Sequence, residues 1–208
     1  MRSTPSPDSV PGNRLTRMAF APISRPSFLQ AAMMGGLHPG AEIPRSAAGH
    51  GLNMDNFSDL LAADAVSSAV TLPNKKQLFQ KLGQLAADAY GLDATEVIER
   101  ITERERLGST GFGGGIAIPH AKLDHLDKVH GVVVLLAEPI AFDAIDEAPV
   151  DVVFMLLSPS DSGAEHLKTL ARVSRLLRNE RHLARIRGVR SDAALYALLA
   201  GGESRDAA

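Results

Sequence analysis

Two strongly apolar runs constrain the fold more than anything else in this sequence. Residues 131–137 are nearly all valine or leucine, and residues 150–157 are almost as apolar, with Pro149 before them and Pro159 after. Short β-branched runs bounded by turn residues read as strands buried on both faces. Such strands need helices on both sides of a sheet. Both runs are far shorter than the ~20 residues that cross a bilayer, so no membrane insertion is expected.

The remaining periodicity supplies the helices. Leu78, Leu82, Leu85 and Ala89 form one stripe over Lys75–Tyr90, with Gly91 as a stop. Asp93, with Glu96 three residues on, starts a second helix that should run to about Arg106. Val97, Ile101 and Arg104 share one face of it, which places the arginine at the edge of an apolar stripe. Leu170, Val173 and Leu177 mark a helix over Gly163–Arg178; a short basic helix follows at 180–187, and Ser191 caps a last one. Residues 116–118 read as a short strand stopped by Pro119. The fold class expected is α/β: a mixed β-sheet flanked by helices on both faces, in one domain over residues 54–202, with 203–208 as a tail.

Residues 1–53 differ. They hold seven of the 12 prolines and six of the 18 glycines, with five arginines against two acids, Asp8 and Glu42. No apolar periodicity survives there, so a disordered extension is expected. A transit peptide shares this composition; the reading adopted is a start codon assigned too far upstream, since a folded pattern begins at Met54. A cytoplasmic location follows from the lack of an apolar secretion segment. The formal net charge of −2 gives no basic footprint for nucleic acid. Cysteine is absent, which excludes disulfides, thiolate metal sites and cysteine nucleophiles.

The chemistry concentrates around His120. A glycine-rich loop, Ser109-Thr110-Gly111-Phe112-Gly113-Gly114-Gly115, precedes it. Pro119 stiffens the approach. Glycines let backbone approach a ligand, and successive free N–H groups form an anion-binding concavity. A neutral imidazole beside such a cradle, Ser109, Thr110, Gly113, Gly114 and Gly115 contributing, is what phosphoryl transfer to histidine requires. His166 lies in the first turn of its helix on the face of Leu170, Val173 and Leu177. The helix dipole there disfavours a charged ring and favours a nearby anion.

Each feature also has an ordinary reading. Histidines on inner helix faces are usually satisfied core residues, glycine runs are usually plain loops, and a lone arginine usually makes a surface ion pair. His120, His125 and His130 are five apart, a poor zinc spacing. The glycine run lacks the last small residue of a dinucleotide fingerprint and the Lys-Ser/Thr of a phosphate loop. The basic stretch around His182, with Arg181, Arg185, Arg187 and Arg190, reads as a solvated face or a dock for an acidic partner.

Residues 108–123, GSTGFGGGIAIPHAKL, resemble the phosphohistidine signature of the fructose/mannitol-type IIA components of the bacterial phosphotransferase system, most of all the nitrogen-regulatory branch. Residues 139–146 with Pro149-Val150-Asp151, and the His166-Leu167-x-x-Leu170 segment, resemble two further blocks. The likeness covers about residues 54–202. It implies that His120 is the phosphorylated histidine, that His166 faces it and stabilises the phosphoryl group, and that Arg104 is the active-site arginine. It implies no cofactor or metal. It also implies a phosphoryl donor of the HPr carrier type and regulatory target proteins, such as transporters or sensor kinases, controlled by phosphorylation state. The alternative is a sugar-specific IIA component feeding a separate IIB protein. A binding module for an anionic metabolite is a third reading.

Overall fold

The structure is a computed structural model that describes residues 56–201, all within one compact unit. The expectations for residues 1–53 and 203–208 lie outside the described residues. After a 3-10 turn at Ala63–Ala65, the elements are β1 (Val66–Val70), α1 (Lys75–Tyr90), α2 (Ala94–Arg106), β2 (Gly111–Gly113), β3 (Ile116–Ala117), β4 (His120–Leu123), β5 (His130–Ile140), β6 (Val150–Pro159), α3 (Gly163–Arg178), α4 (Glu180–Gly188) and α5 (Asp192–Leu199).

The two apolar runs become the central pair β5 and β6, antiparallel with Val132 opposite Met155 and Val134 opposite Val153. β1 joins β5 in parallel. On its other edge β6 takes β3 and then β4, both parallel: Ile116 and Ala117 oppose Val152 and Val153, and His120–Leu123 oppose Leu156–Pro159. Pro119, which has no N–H to donate, lies between these two short strands, while its carbonyl still accepts from Leu156 N at 2.9 Å.

Both faces of the central pair are covered, as alternation along a strand demands. Val132, Val134, Leu136, Val153, Met155 and Leu157 pack with Leu78, Phe79 and Leu82 of α1 and Val97 and Ile101 of α2. Val133, Leu135, Val152, Phe154 and Leu156, of opposite parity, are equally buried, as are Val173 and Leu177 of α3, Ile186 of α4 and Leu195 of α5. The helix boundaries follow local chemistry. Asn74 accepts from Gln77 N, Asp93 from Thr95 N and Glu96 N, and Ser191 from Ala194 N. Gly91 closes α1 in the left-handed region at φ 67°.

Three short strands depart from the sequence reading. β1 shows no clean alternation of buried and exposed residues, and β4 starts at a residue read only as the end of a stiff approach. Residues 109–115, read as a loop, contain β2, which pairs antiparallel with β3 as a tight hairpin.

Candidate functional site

His120 opens β4, Arg104 stands in the last turn of α2, and His166 lies in the first turn of α3. The parallel pairing of β4 with the C-terminal half of β6 brings the three together. The rings of His120 and His166 are 5.4 Å apart between centroids, inclined by 50°. Arg104 Nε donates to His120 Nε2 at 3.0 Å, and Arg104 Nη1 donates to the Gly108 carbonyl at 2.9 Å.

The partners of His120 define its tautomer. Nδ1 is 2.8 Å from the Ile118 carbonyl, which can only accept, so Nδ1 carries the proton. A guanidinium can only donate, so Nε2 carries the lone pair. Burial, joined by the positive charge of Arg104 and the neighbouring His166, pushes the imidazole's pKa down to about 4 against the opposing pull of the Ile118 carbonyl. At neutral pH the ring is therefore uncharged.

His166 is buried, and its Nδ1 is 2.8 Å from the hydroxyl of Ser158, which is wholly buried at the end of β6. Burial, then Lys122 and Arg104, hold its pKa below the ordinary histidine value. An open hollow of about 470 Å³ lies over the two rings, lined among others by Arg100, Arg104, Leu107 and Lys122. Three cations against Glu103 make it a place for an anion, and Glu103 itself is 3.3 Å from Arg100.

The glycine-rich segment is not where the sequence reading put it. Gly113, Gly114 and Gly115 form the hairpin turn beside Asp151 and Val152, four residues along β6 from Leu156, the partner of His120. That is about 13 Å at the rise of a strand. The Gly114 N–H is spent on Asp146 at 2.8 Å. Gly115 has φ +82°, and a Cβ on it would lie 2.4 Å from Arg187 Nη2 and 2.7 Å from Asp151 Oδ1. These glycines make a turn and a close approach at that end of β6. Ser109 and Thr110 are also engaged elsewhere: both hydroxyls and the Thr110 N–H donate to Glu105.

The basic stretch divides. Arg187 is committed to Asp151 through Nε and Nη2, both at 2.7 Å, and to the Gly114 carbonyl, while Arg190 donates to the carbonyls of Arg187 and Val189. The histidines spaced by five diverge. His125 is 3.8 Å from Glu96, and His130 packs against Tyr90 with ring centroids 4.2 Å apart and planes inclined by 45°. Among the described residues no group of three metal-ligating side chains forms. Sequence reasoning missed Ser158 and Glu105. Ser158 carried a signal, a hydroxyl ending an otherwise apolar run; Glu105 looked like one more charge on a polar helix.

The family model for the phosphoenolpyruvate-dependent sugar phosphotransferase system, EIIA 2, matches residues 59–201. The chain belongs to this family, and is a phosphotransferase-system IIA component. Within the family it is similar to proteins named nitrogen regulatory protein. That of Bradyrhizobium diazoefficiens is 43% identical over 144 residues, 69% of this chain and 94% of the relative. That of Escherichia coli is 43% identical over 149 residues, 71% and 91% of the two chains. The crystal structure of nitrogen regulatory protein IIA-Ntr from Neisseria meningitidis superposes with a TM-score of 0.64 at 31% identity, covering 68% of this chain and 97% of that one. Among the described residues no helix is long and apolar enough to cross a membrane.

Proposed function

We propose that this IIA component takes a phosphoryl group from an HPr-type carrier onto Nε2 of His120, in the cytoplasm, and controls regulatory target proteins by its phosphorylation state. The observation that carries the reading is the opposed pair of hydrogen bonds on His120, 2.8 Å at Nδ1 and 3.0 Å at Nε2, on a ring that burial keeps neutral. Together they make Nε2 a nucleophile at physiological pH.

In the step itself, the Nε2 lone pair attacks phosphorus in line. The new N–P bond forms as the carrier's N–P bond breaks, and that electron pair returns to the carrier's imidazole. Arg104 gives up its bond to Nε2 and turns its donors to the phosphoryl oxygens. The Ile118 carbonyl keeps the Nδ1 proton as the ring becomes electron-poor. With the Ser158 hydroxyl donating to Nδ1 of His166, Nε2 of that ring carries a proton for the same oxygens. The Ser109 and Thr110 hydroxyls, engaged with Glu105, and the Gly114 N–H, engaged with Asp146, make no direct contact with the phosphoryl group. The added charge of about −1.5 to −2 offsets the positive charge that Arg100, Arg104 and Lys122 place around the hollow against Glu103, and target proteins read that change without a change of fold.

The test is labelling with phosphoenolpyruvate, the first phosphotransferase enzyme and an HPr-type carrier. His120→Ala abolishes labelling, and His166→Ala slows it by about 10²-fold, the usual cost of a lost donor to a developing anion. Full labelling of His120→Ala would refute the assignment.

A further inference from the structure

We infer that Glu105 is the positioning residue of this site: one buried carboxylate sets both hydrogen bonds on His120 through the segment from Gly108 to Ile118. The inference rests on the proposed role of His120.

Glu105 follows Arg104 on α2, its side chain only 9% exposed. Oε2 accepts from Thr110 N at 2.9 Å and from Thr110 Oγ1 at 2.6 Å; Oε1 accepts from Ser109 Oγ at 3.1 Å and from Lys75 Nζ at 3.0 Å. Four donors fill the carboxylate, and three of them belong to two consecutive residues just past the helix. From there two arms run to the imidazole. On the first, the clamped residues fix the adjacent Gly108, whose carbonyl holds Arg104 Nη1 at 2.9 Å while Arg104 Nε meets His120 Nε2. On the second, the Thr110 carbonyl accepts from Ile118 N at 3.0 Å, and the Ile118 carbonyl takes the His120 Nδ1 proton at 2.8 Å. Lys75 ties the same carboxylate to the start of α1 and reaches Asp143 at 3.0 Å, so the anchor is rigid.

The chemistry gives this arrangement a purpose. In water a neutral imidazole prefers its proton on Nε2, which would leave no lone pair there for phosphorus. The site holds the opposite tautomer, and it takes partners fixed on both sides of the ring to do so. Partners that fix the tautomer and orientation of metal-ligating histidines are typically worth about 10–100-fold in activity, and the frame around His120 is expected to act on the same scale. Ser109 and Thr110 thereby serve the site indirectly, as donors to the clamp and not as a cradle for the phosphoryl group.

The experiment compares wild type, Glu105→Gln and Thr110→Val, each checked for folding by circular dichroism. ¹⁵N NMR of the His120 ring, recorded without any phosphoryl donor, reports the tautomer. In wild type the proton is on Nδ1; in Glu105→Gln the Nε2–H form appears, and in Thr110→Val it appears to a smaller extent. Labelling from the phosphorylated carrier then falls about 10-fold or more in kcat for Glu105→Gln, with KM for the carrier unchanged, since Glu105 lies beneath the exposed rim. Two folded variants that keep the wild-type tautomer and label within about twofold of wild type would overturn the inference. If wild type itself takes no phosphoryl group, the proposed function fails, and the tautomer measurement still decides the role of Glu105.

Discussion

The low pKa of His120 has a consequence for stability that needs no phosphoryl donor to observe. An unfolded histidine titrates near 6.5 and the folded ring near 4. Between those values the unfolded chain holds a proton that the native state does not, so stability rises with pH across this window. Above pH 6.5 both states are neutral and below pH 4 both are charged, so the slope vanishes on either side. Lowering the pH from 7.5 to 5 therefore costs the native state about 2 kcal/mol through this one ring, from a slope of ~1.4 kcal/mol per pH unit. His120→Gln removes the titration and leaves the other histidines in place. Urea denaturation of both proteins at pH 7.5, 6, 5 and 4.5 isolates the effect, because shared contributions cancel in the difference. Wild type loses about 2 kcal/mol relative to His120→Gln by pH 5. Difference curves that stay flat from pH 7.5 to 4.5 would refute the burial argument and the lowered pKa of this ring.

Other outcomes follow from the same geometry. Ser158→Ala strands the buried Nδ1 of His166 and lowers stability by about 1–3 kcal/mol in urea denaturation. Gly114 and Gly115 separate by thermal and urea unfolding. Ala at 114, where φ is +65° and space is open, costs about 1 kcal/mol. Gly115→Ala, at φ +82°, also displaces the partly exposed Arg187 from Asp151 and costs about 2 kcal/mol. Neither alters the labelling rate of His120 by more than about twofold, because the turn sits at the far end of β6; a tenfold loss at Gly114→Ala would restore the phosphate-cradle reading. Mixing phosphorylated protein with a fructose- or mannitol-type IIB protein yields no transfer if the role is regulatory, and rapid loss of label supports the sugar-specific alternative.

What the sequence discloses follows from which forces act locally. The central strands are legible because burial on both faces leaves no polar positions, and the helices because their caps and stripes are local. Arg104, His120 and His166 are legible as separate oddities: an arginine extending an apolar stripe, a histidine after Gly-rich and Pro-stiffened chain, a histidine at an inner helix position. What brings them together is the parallel pairing of β4 with Leu156–Pro159, a long-range register that no local pattern encodes. The glycine run reads as a cradle because it lies only a few residues from His120 in sequence. In space β3 carries the chain away from the turn, and the Gly114 N–H is consumed by Asp146, 32 residues on. Glu105 is illegible for the complementary reason. Its neighbours Arg104 and Arg106 are charged, so it reads as part of a polar run, and only the return of Ser109 and Thr110 over the end of α2 covers it.

The most direct test of the account is the position of the phosphoryl group. Wild-type protein labelled by the phosphoenolpyruvate-driven carrier is mapped by mass spectrometry, and the modified ring nitrogen is identified by ³¹P–¹⁵N NMR. One acid-labile, base-stable phosphate on Nε2 of His120 is expected. A phosphate on Nδ1 of that ring, on His166 or on any other side chain would contradict it.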